Sequence, residues 1–299
     1  MDIILSSISQ GLLWSVMAIG IYLTFRILDI ADLTAEGSFP LGAAICSVSI
    51  VSGIPPLLAS LLALVGGMLA GIVSGLLHTK LKIPALLTGI LTMTALYSIN
   101  LRIMGQANVT LLGQETLMRE LQSYGLENRL AVLVVGGIAV GLVILVLYLF
   151  FSTEIGLALR STGDNEDMSE ANGIHTDTMK ILGYMLCNGL ISLSGALIAQ
   201  NNGYADISMG IGTIVIGLAS VIIGEVIFHN LSFAKRLMTI VIGAIVYRLI
   251  IDLVLQLGVE PQDIKLFSAI ILAIALSTPL IKKKTKGSKR ASKKGAKLI

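Results

Sequence analysis

The sequence predicts an all-α protein: a polytopic membrane helical bundle of about nine segments, some broken, with a weak internal repeat. Three observations carry this. Hydrophobic residues fill 55% of the 299 positions and charged residues only 13%, with a mean hydropathy of +0.90, whereas a soluble domain is about 45–50% apolar and about 25% charged. The apolar residues fall in blocks close to the ~20 residues that a helix needs to cross a bilayer. Glycine is frequent, at 31 residues, and small residues let helices approach closely in lipid, which supplies no hydrophobic drive between them.

Taken in order, spans are expected at 4–24, 57–78, 84–103, 131–151, 181–200, 237–256 and 264–281. No basic region precedes the first, so it reads as a span and not as a cleaved signal peptide. Two further stretches, 39–52 and 210–227, are interrupted by glycine, and counting both gives nine crossings. Lys and Arg in short loops set orientation. Nine crossings gather Arg26, Lys80, Lys82, Arg160, Lys180, Lys235 and Arg236 on the cytoplasmic side with the C-terminus, and place the N-terminus outside. Arg102, Arg119, Arg129 and Lys265 stay outside. The one long external segment, Gly105–Arg129, reads either as a partly helical cap or as a solvated linker.

From Lys282 onward the chain carries nine Lys or Arg and no acid. Such a run is too polar and self-repelling to fold alone. The division is therefore a membrane-spanning domain over 1–281, with a cytoplasmic loop at 152–180, and a basic disordered tail over 282–299. Held at anionic membrane lipids, the tail is worth roughly 1 kcal/mol per basic residue near the surface. That reading is preferred to a regulatory or nucleic-acid contact.

No phosphate-binding loop, dinucleotide fingerprint or metal-ligand spacing is present, and His78, His175 and His229 are scattered. Cys46 and Cys187 lie in apolar surroundings and read as buried small residues. These patterns point to no catalytic residues, no metal and no cofactor in this chain.

"DLTAEGSFPLGAA" (Asp32–Ala44) and "DISMGIGTIVIGLA" (Asp206–Ala219) share an Asp, an apolar residue, then Ser or Thr. They also share two glycines five apart (Gly37 and Gly42; Gly212 and Gly217) and a following Ala, at an offset of about 175 residues. Gly-interrupted apolar segments at corresponding places in two halves mark a transport pathway, although chance matching in a Gly-rich chain is the alternative. Asp32 and Glu36 are expected near the cytoplasmic side and Asp206 near the outer side. Ser38, Thr88 and Thr92 are the polar pathway candidates; alternatively, their hydroxyls bond back to their own helix. Arg248 and Asp252, four apart inside one span, read as a structural ion pair near its outer end, since buried charges in lipid must pair or line a cavity.

"GLALRSTGDNEDMSEANGI" (Gly156–Ile174) interrupts the apolar pattern with Asp164, Glu166, Asp167 and Glu170. Asp164 can cap a short helix over Glu166–Asn172, acids in its first turn suit the positive helix end, and Gly173 can close it. A solvated connecting loop is the bland alternative. This block, with "NGLISLSGALIAQNNGYADISMGIGTIVIGLASVIIGE" and "KLKIPALLTGILTM", resembles the permease subunits of bacterial ATP-binding-cassette importers of the branched-chain amino-acid and ribose type, over nearly the whole chain to about Leu280. It is most similar to a less characterised subgroup whose binding proteins are associated with amino acids.

The resemblance implies that Arg160, Gly163, Asp164, Asn165, Glu166, Asp167, Met168, Ala171 and Gly173 belong to a coupling helix that meets a separate ATPase. Many relatives carry Pro after the Asn; Glu166 stands here, which softens the helix start. ATP and Mg would then act on the partner chain, which fits the missing phosphate loop. The resemblance further implies a homodimer, a pair of ATPase subunits, an extracytoplasmic substrate-binding protein and a bacterial plasma-membrane location. An ion-coupled secondary transporter is the competing function, and the near absence of charge in mid-span counts against it. A membrane scaffold without transport is the third.

Overall fold

Small residues decide where the helices of this chain touch. The computed structural model describes residues 2–227, 233–260 and 263–273. Its helices are α1 (Asp2–Tyr22), α2 (Ala35–Val51), α3 (Pro56–Thr79), α4 (Ala85–Met104), α5 (Leu117–Ser123), α6 (Asn128–Phe151), α7 (Glu154–Asp164), α8 (Glu166–Ala171), α9 (Thr176–Asn202), α10 (Thr213–Ile227), α11 (Phe233–Gln256) and α12 (Ile264–Ala273). Six are long and apolar enough to cross a membrane: α1 with its extension to Ile27, α3, α4, α6, α9 and α11. α2, α10 and α12 are shorter. The expected span 264–281 is described only as far as Ala273, and the tail over 282–299 lies outside the described residues.

α9 is the axis of the bundle. Tyr184, Cys187, Asn188, Ile191, Ser192, Ser194, Ala196 and Ala199 along it are wholly buried. Against it α3 turns Gly67, Gly71 and Gly75, spaced four apart and so on one helical face. A Cβ on Gly71 would fall on the carbonyl oxygen of Tyr184, and one on Gly67 on that of Asn188. On Gly75 it would lie 2.8 Å from Cα of Ile181. α2 uses the same device: a side chain at Gly42 would strike the Ser192 carbonyl. Polar bridges reinforce these seams. The Ser192 hydroxyl donates to the Ala63 carbonyl (2.6 Å) and the Ser194 hydroxyl to that of Leu13 (2.8 Å). The opposite face of α3 exposes Leu57, Leu61, Val65, Leu69, Val73 and Leu76, as a helix in contact with lipid does.

α1 does not stop at Tyr22. It widens into a π-helical turn, Leu23–Ile27, in which the Leu28 N–H donates to the Leu23 carbonyl (3.1 Å). The chain then reverses at Asp29, whose φ of +55° is a left-handed conformation that Asp tolerates better than most residues. Residues 28–34 run back along α9: Leu28 packs on Gly183, and Asp32 meets Asn188. Five residues of helix separate those α9 positions, an advance of ~7.5 Å. Asp32 therefore lies level with the middle of α9 and not near either end of the bundle, which corrects the depth expected for it and for Glu36. α2 starts from this inner position.

Two features depart from a purely helical reading. A short antiparallel ribbon, β1 (Asn108–Thr110) with β2 (Tyr204–Asp206), ties the segment after α4 to the end of α9. The long segment 105–129 is partly helical, with α5 over Leu117–Ser123 capped by Thr116, which accepts from the Arg119 N–H (3.3 Å). The ribbon and α5 occupy one end of the bundle; α7 and α8 occupy the other. Cys46 and Cys187 are both buried free thiols.

The glycine seam yields a test. Gly71→Val must push the α3 and α9 backbones apart, an overpacking that costs typically 1–3 kcal/mol or more, and should lower the thermal midpoint of the detergent-solubilised chain. Gly141→Ala on α6, where an added Cβ meets nothing within 4 Å, should leave it unchanged. Equal midpoints for Gly71→Val and the parent would remove close packing as the basis of the α3–α9 contact.

Candidate coupling site and half-helix junction

The polar block between α6 and α9 folds as two helices where the sequence led us to expect one. Thr153 caps α7, accepting from the Gly156 N–H (3.3 Å). α7 buries Gly156, Leu159 and Thr162 on one face, and Gly163 sits so tightly on the π-turn that a Cβ would fall on the Ile27 carbonyl. Asp164 is the last residue of α7 and does not cap α8. The cap is Asn165, in extended conformation, whose Oδ1 accepts from the Met168 N–H (2.9 Å). α8 then runs only from Glu166 to Ala171. Gly173, at φ +82°, closes it as expected: its N–H donates to the Glu170 carbonyl (2.9 Å) and that of Ile174 to the Ser169 carbonyl (3.0 Å).

α8 is fixed from below and bare above. Ser169 is buried, its hydroxyl 2.7 Å from that of Ser161 on α7. Glu166 forms an ion pair with Lys180 of α9, and Glu170 accepts from the Thr176 hydroxyl (2.8 Å). Two of the four acids are thus spent on holding α8 against α9. Asp167, Met168 and Ala171 face outward, with Met168 63% exposed. Arg160 lies over the Phe233 ring at 5.4 Å from its centroid, a cation–π contact.

The second site lies at the middle of the bundle, where two shortened helices begin side by side. Asp32 Oδ1 accepts from the Thr34 N–H (2.9 Å), and Asp206 Oδ1 accepts from the Ser208 N–H (2.7 Å). Each makes the same side-chain-to-backbone turn two residues on. α2 and α10 follow these turns. Glu36 Oε1 accepts from the Gly212 N–H (3.0 Å), and Gly210 is pressed against the Glu36 carbonyl and Pro40. The Glu36 carboxyl therefore stands at the N-terminal, positive ends of both helices. From there α2 climbs with α9 towards the ribbon, and α10 runs the other way, past Ile21 at Gly217, until Glu225 meets Arg26 (2.8 Å). Asp206 itself stays at the ribbon, half-buried. Its partial burial pushes its carboxyl up, but hydrogen bonds from Ser208 and Asn108 outweigh this and hold it below the ordinary carboxylate value.

Ser38 is fully buried and donates to Asn188 Oδ1 (2.7 Å), while Asn188 Nδ2 donates to Asp32 Oδ2 (2.8 Å) and to the Tyr184 carbonyl (3.0 Å). Asn188 thus joins the re-entrant turn, α2 and α9. Thr34 adds a contact to Ser74 of α3 (2.9 Å). Thr88 and Thr92 fall on the buried stripe of α4 with Gly89, Leu96, Asn100 and Met104. Thr92 bonds back to the Thr88 carbonyl (2.9 Å), and Asn100 donates to the Gly37 carbonyl (3.2 Å). Gly37 packs on Leu96 and Met93 of α4. Arg248 and Asp252 do lie together (3.2 Å), and Asp252 also accepts from the Ser7 hydroxyl (2.5 Å), which joins α11 to α1. Sequence reasoning did not single out Asn188, Asn100, Ser74 or Thr176. The two asparagines could have been found as amides inside apolar runs, where a polar side chain needs a partner on another helix.

Residues 3–276 match the family model described as branched-chain amino acid transport system / permease component. The chain is 42% identical over 275 residues to a tyrosine transport system permease protein of Clostridioides difficile, covering 92% of this chain and 90% of that one. It is 33% identical over 282 residues to an uncharacterized protein of Rickettsia prowazekii, covering 93% and 98%. An autoinducer 2 import system permease protein of Yersinia pseudotuberculosis is 26% identical over 166 residues, covering 56% of this chain and 46% of that one. No solved structure matched. With nearly the full length matched and several apolar helices to cross the inner membrane, the chain belongs to the branched-chain amino-acid transport permease family, as a permease component of an ATP-binding-cassette importer.

Proposed function

We propose that this permease carries an amino acid, aromatic ones first among them, and that α8 is the element through which a separate ATPase drives it. The observation that carries the coupling role is the geometry of α8. It is capped at both ends and pinned to α9, and it presents Asp167, Met168 and Ala171 outward. A polarizable, unbranched Met beside a small Ala suits a groove on another protein. Arg160, Gly163, Asp164 and Asn165 act beneath it: Gly163 by letting α7 lie on the π-turn, Asn165 by starting α8. The amino-acid class rests on full-length likeness to the tyrosine transport permease.

In this reading the ribbon end faces outward, where a substrate-binding protein delivers the solute. The α8 end and the basic tail face the cytoplasm. The membrane domain ends near residue 281. Nine membrane segments, including α2 and α10, fall into two weakly repeated halves. The matching turns at Asp32 and Asp206, each followed by a shortened helix, support the repeat. Two copies of the chain form the pathway between them. In each, Gly37, Ser38, Gly42, Thr88, Thr92, Gly212 and Gly217 line or flank the region where the half-helices and α4 meet, and Arg248–Asp252 braces the outer end. ATP-driven closure of the ATPases pushes α8 and switches access from outside to inside by a rigid-body transition.

Met168→Arg with Ala171→Arg should abolish co-purification of the partner ATPase while the variant still inserts and keeps its thermal midpoint; undiminished co-purification would show that the partner docks elsewhere. Asn165→Ala removes a cap worth about 1 kcal/mol and should weaken association only partly.

Reporters fused at Gly113 and after Ile299 should report outside and cytoplasm respectively. The reverse pattern would invert the orientation.

Proteoliposomes holding the permease, its ATPase and its binding protein should accumulate labelled tyrosine only with ATP inside, and excess phenylalanine should compete. ATP-driven uptake of a sugar without amino-acid uptake would replace the substrate class and leave the coupling intact.

A further inference from the structure

A cavity of about 210 Å³ opens where the π-turn after α1, the underside of α7 and the start of α11 meet. Its wall carries three guanidiniums, Arg26, Arg160 and Arg236, with Tyr22, Asp164 and Phe233. Charge there is unbalanced. Arg26 is neutralised by Glu225 (2.8 Å). Arg160 rests on the Phe233 ring instead of on a carboxylate, and among the described residues neither Arg160 nor Arg236 forms an ion pair. Asp164 is the one acid in the wall.

We propose that this cavity binds a phosphate group at the membrane face. Planar guanidinium forks match phosphate oxygens two at a time, and a tyrosine hydroxyl adds a donor. The cavity lies at the ends of two helices long and apolar enough to cross a membrane, where lipid headgroups would come within reach. It is also on the α1–α11 side of α7, away from the outward face of α8, so a partner seated on α8 does not fill it. Its lining also carries apolar surface, Ile27 buried and Phe233 half-buried, against which the carbon skeleton of a phospholipid can rest, while the guanidiniums would serve a headgroup and a free phosphate alike. Occupancy would join α1, α7 and α11 through one anion. The site shares Arg160 and Asp164 with the base of the coupling region, but it rests neither on the substrate class nor on the outward face of α8.

The test uses the full chain in nanodiscs of phosphatidylcholine doped with phosphatidylglycerol. Retained phosphatidylglycerol is counted by native mass spectrometry, and inorganic phosphate binding is measured by titration calorimetry on the same samples. Losing one charge-assisted contact of about 1.5–3 kcal/mol should lower anion binding by roughly tenfold or more in Arg236→Gln. Arg236→Lys should recover some of it and, by keeping the positive charge, separates anion binding from folding. Arg102→Gln, at the ribbon end, should change nothing. Loss of retained lipid in Arg236→Gln identifies a headgroup; loss of phosphate binding with lipid retention unchanged identifies a free phosphate. If neither anion depends on Arg236, the proposal fails. The same holds if Arg236→Gln loses only the ATPase, because the guanidiniums would then be serving a partner's carboxylate.

Discussion

Everything in this bundle depends on how closely backbones can approach α9. Lipid tails are as apolar as leucine, so helices gain nothing by hiding leucines from them, and association falls to van der Waals contact and hydrogen bonds. Both require proximity. Gly67, Gly71 and Gly75 of α3 and Gly42 of α2 let whole peptide units lie against α9. Only at that separation do the short hydroxyls of Ser192 and Ser194 reach carbonyls on neighbouring helices. Large apolar side chains are turned outward on α3, and the face that it sets against α9 is built from small ones. This inverts the pattern of a soluble domain and explains a composition rich in glycine.

The same proximity solves the problem that the broken segments create. Backbone polar groups cannot face hydrocarbon, yet residues 28–34, beside the middle of α9, and 207–212, which run from the ribbon to Glu36, are not helical. Side chains take up the groups left over. Asp32 and Asp206 accept the amides that follow them, Glu36 accepts from Gly212, and Asn188 ties Asp32 to Ser38. Asp32 is an ionisable group at mid-depth, the kind of group that a coupling ion would need. Its oxygens are already engaged by an amide N–H and a carboxamide, and its role is to hold a turn.

Much of this was legible in the sequence, and the boundary follows physical range. Long apolar runs located the spans within a few residues, because hydropathy is a local sum. Gly173 and the acidic start of α8 announced a short helix, because caps act within one turn. The cap itself was misplaced by one residue: Asp164 and Asn165 are both good N-cap residues, and the choice between them depends on where α7 ends. α7 ends where it does because Gly163 packs on Ile27, a contact across more than 130 residues. The depth of Asp32 was misjudged for a similar reason. Only the π-turn and the left-handed Asp29 send the chain back into the bundle, and neither leaves a periodicity to read. The ribbon β1–β2 was invisible because three-residue strands carry almost no pattern.

The acidic loop shows how these levels join. Acids were free to collect there because orientation is set by Lys and Arg, but only Asp167 among the four is left without a structural task or a place in the basic cavity. Glu166 and Glu170 are bound to Lys180 and Thr176, so α8 is tied to the first turns of α9. Twelve residues further along the same rigid helix, Asn188 holds the re-entrant turn and α2. In the coupling role proposed for α8, a force on Met168 would pass into α9, which touches both the surface element and the half-helix junction. A flexible loop would absorb that force; a capped helix of six residues, anchored by an ion pair and two hydroxyl contacts, would deliver it. The polarity of the segment is thus what holds in place a short helix too small to be stable alone, as the proposed coupling role requires.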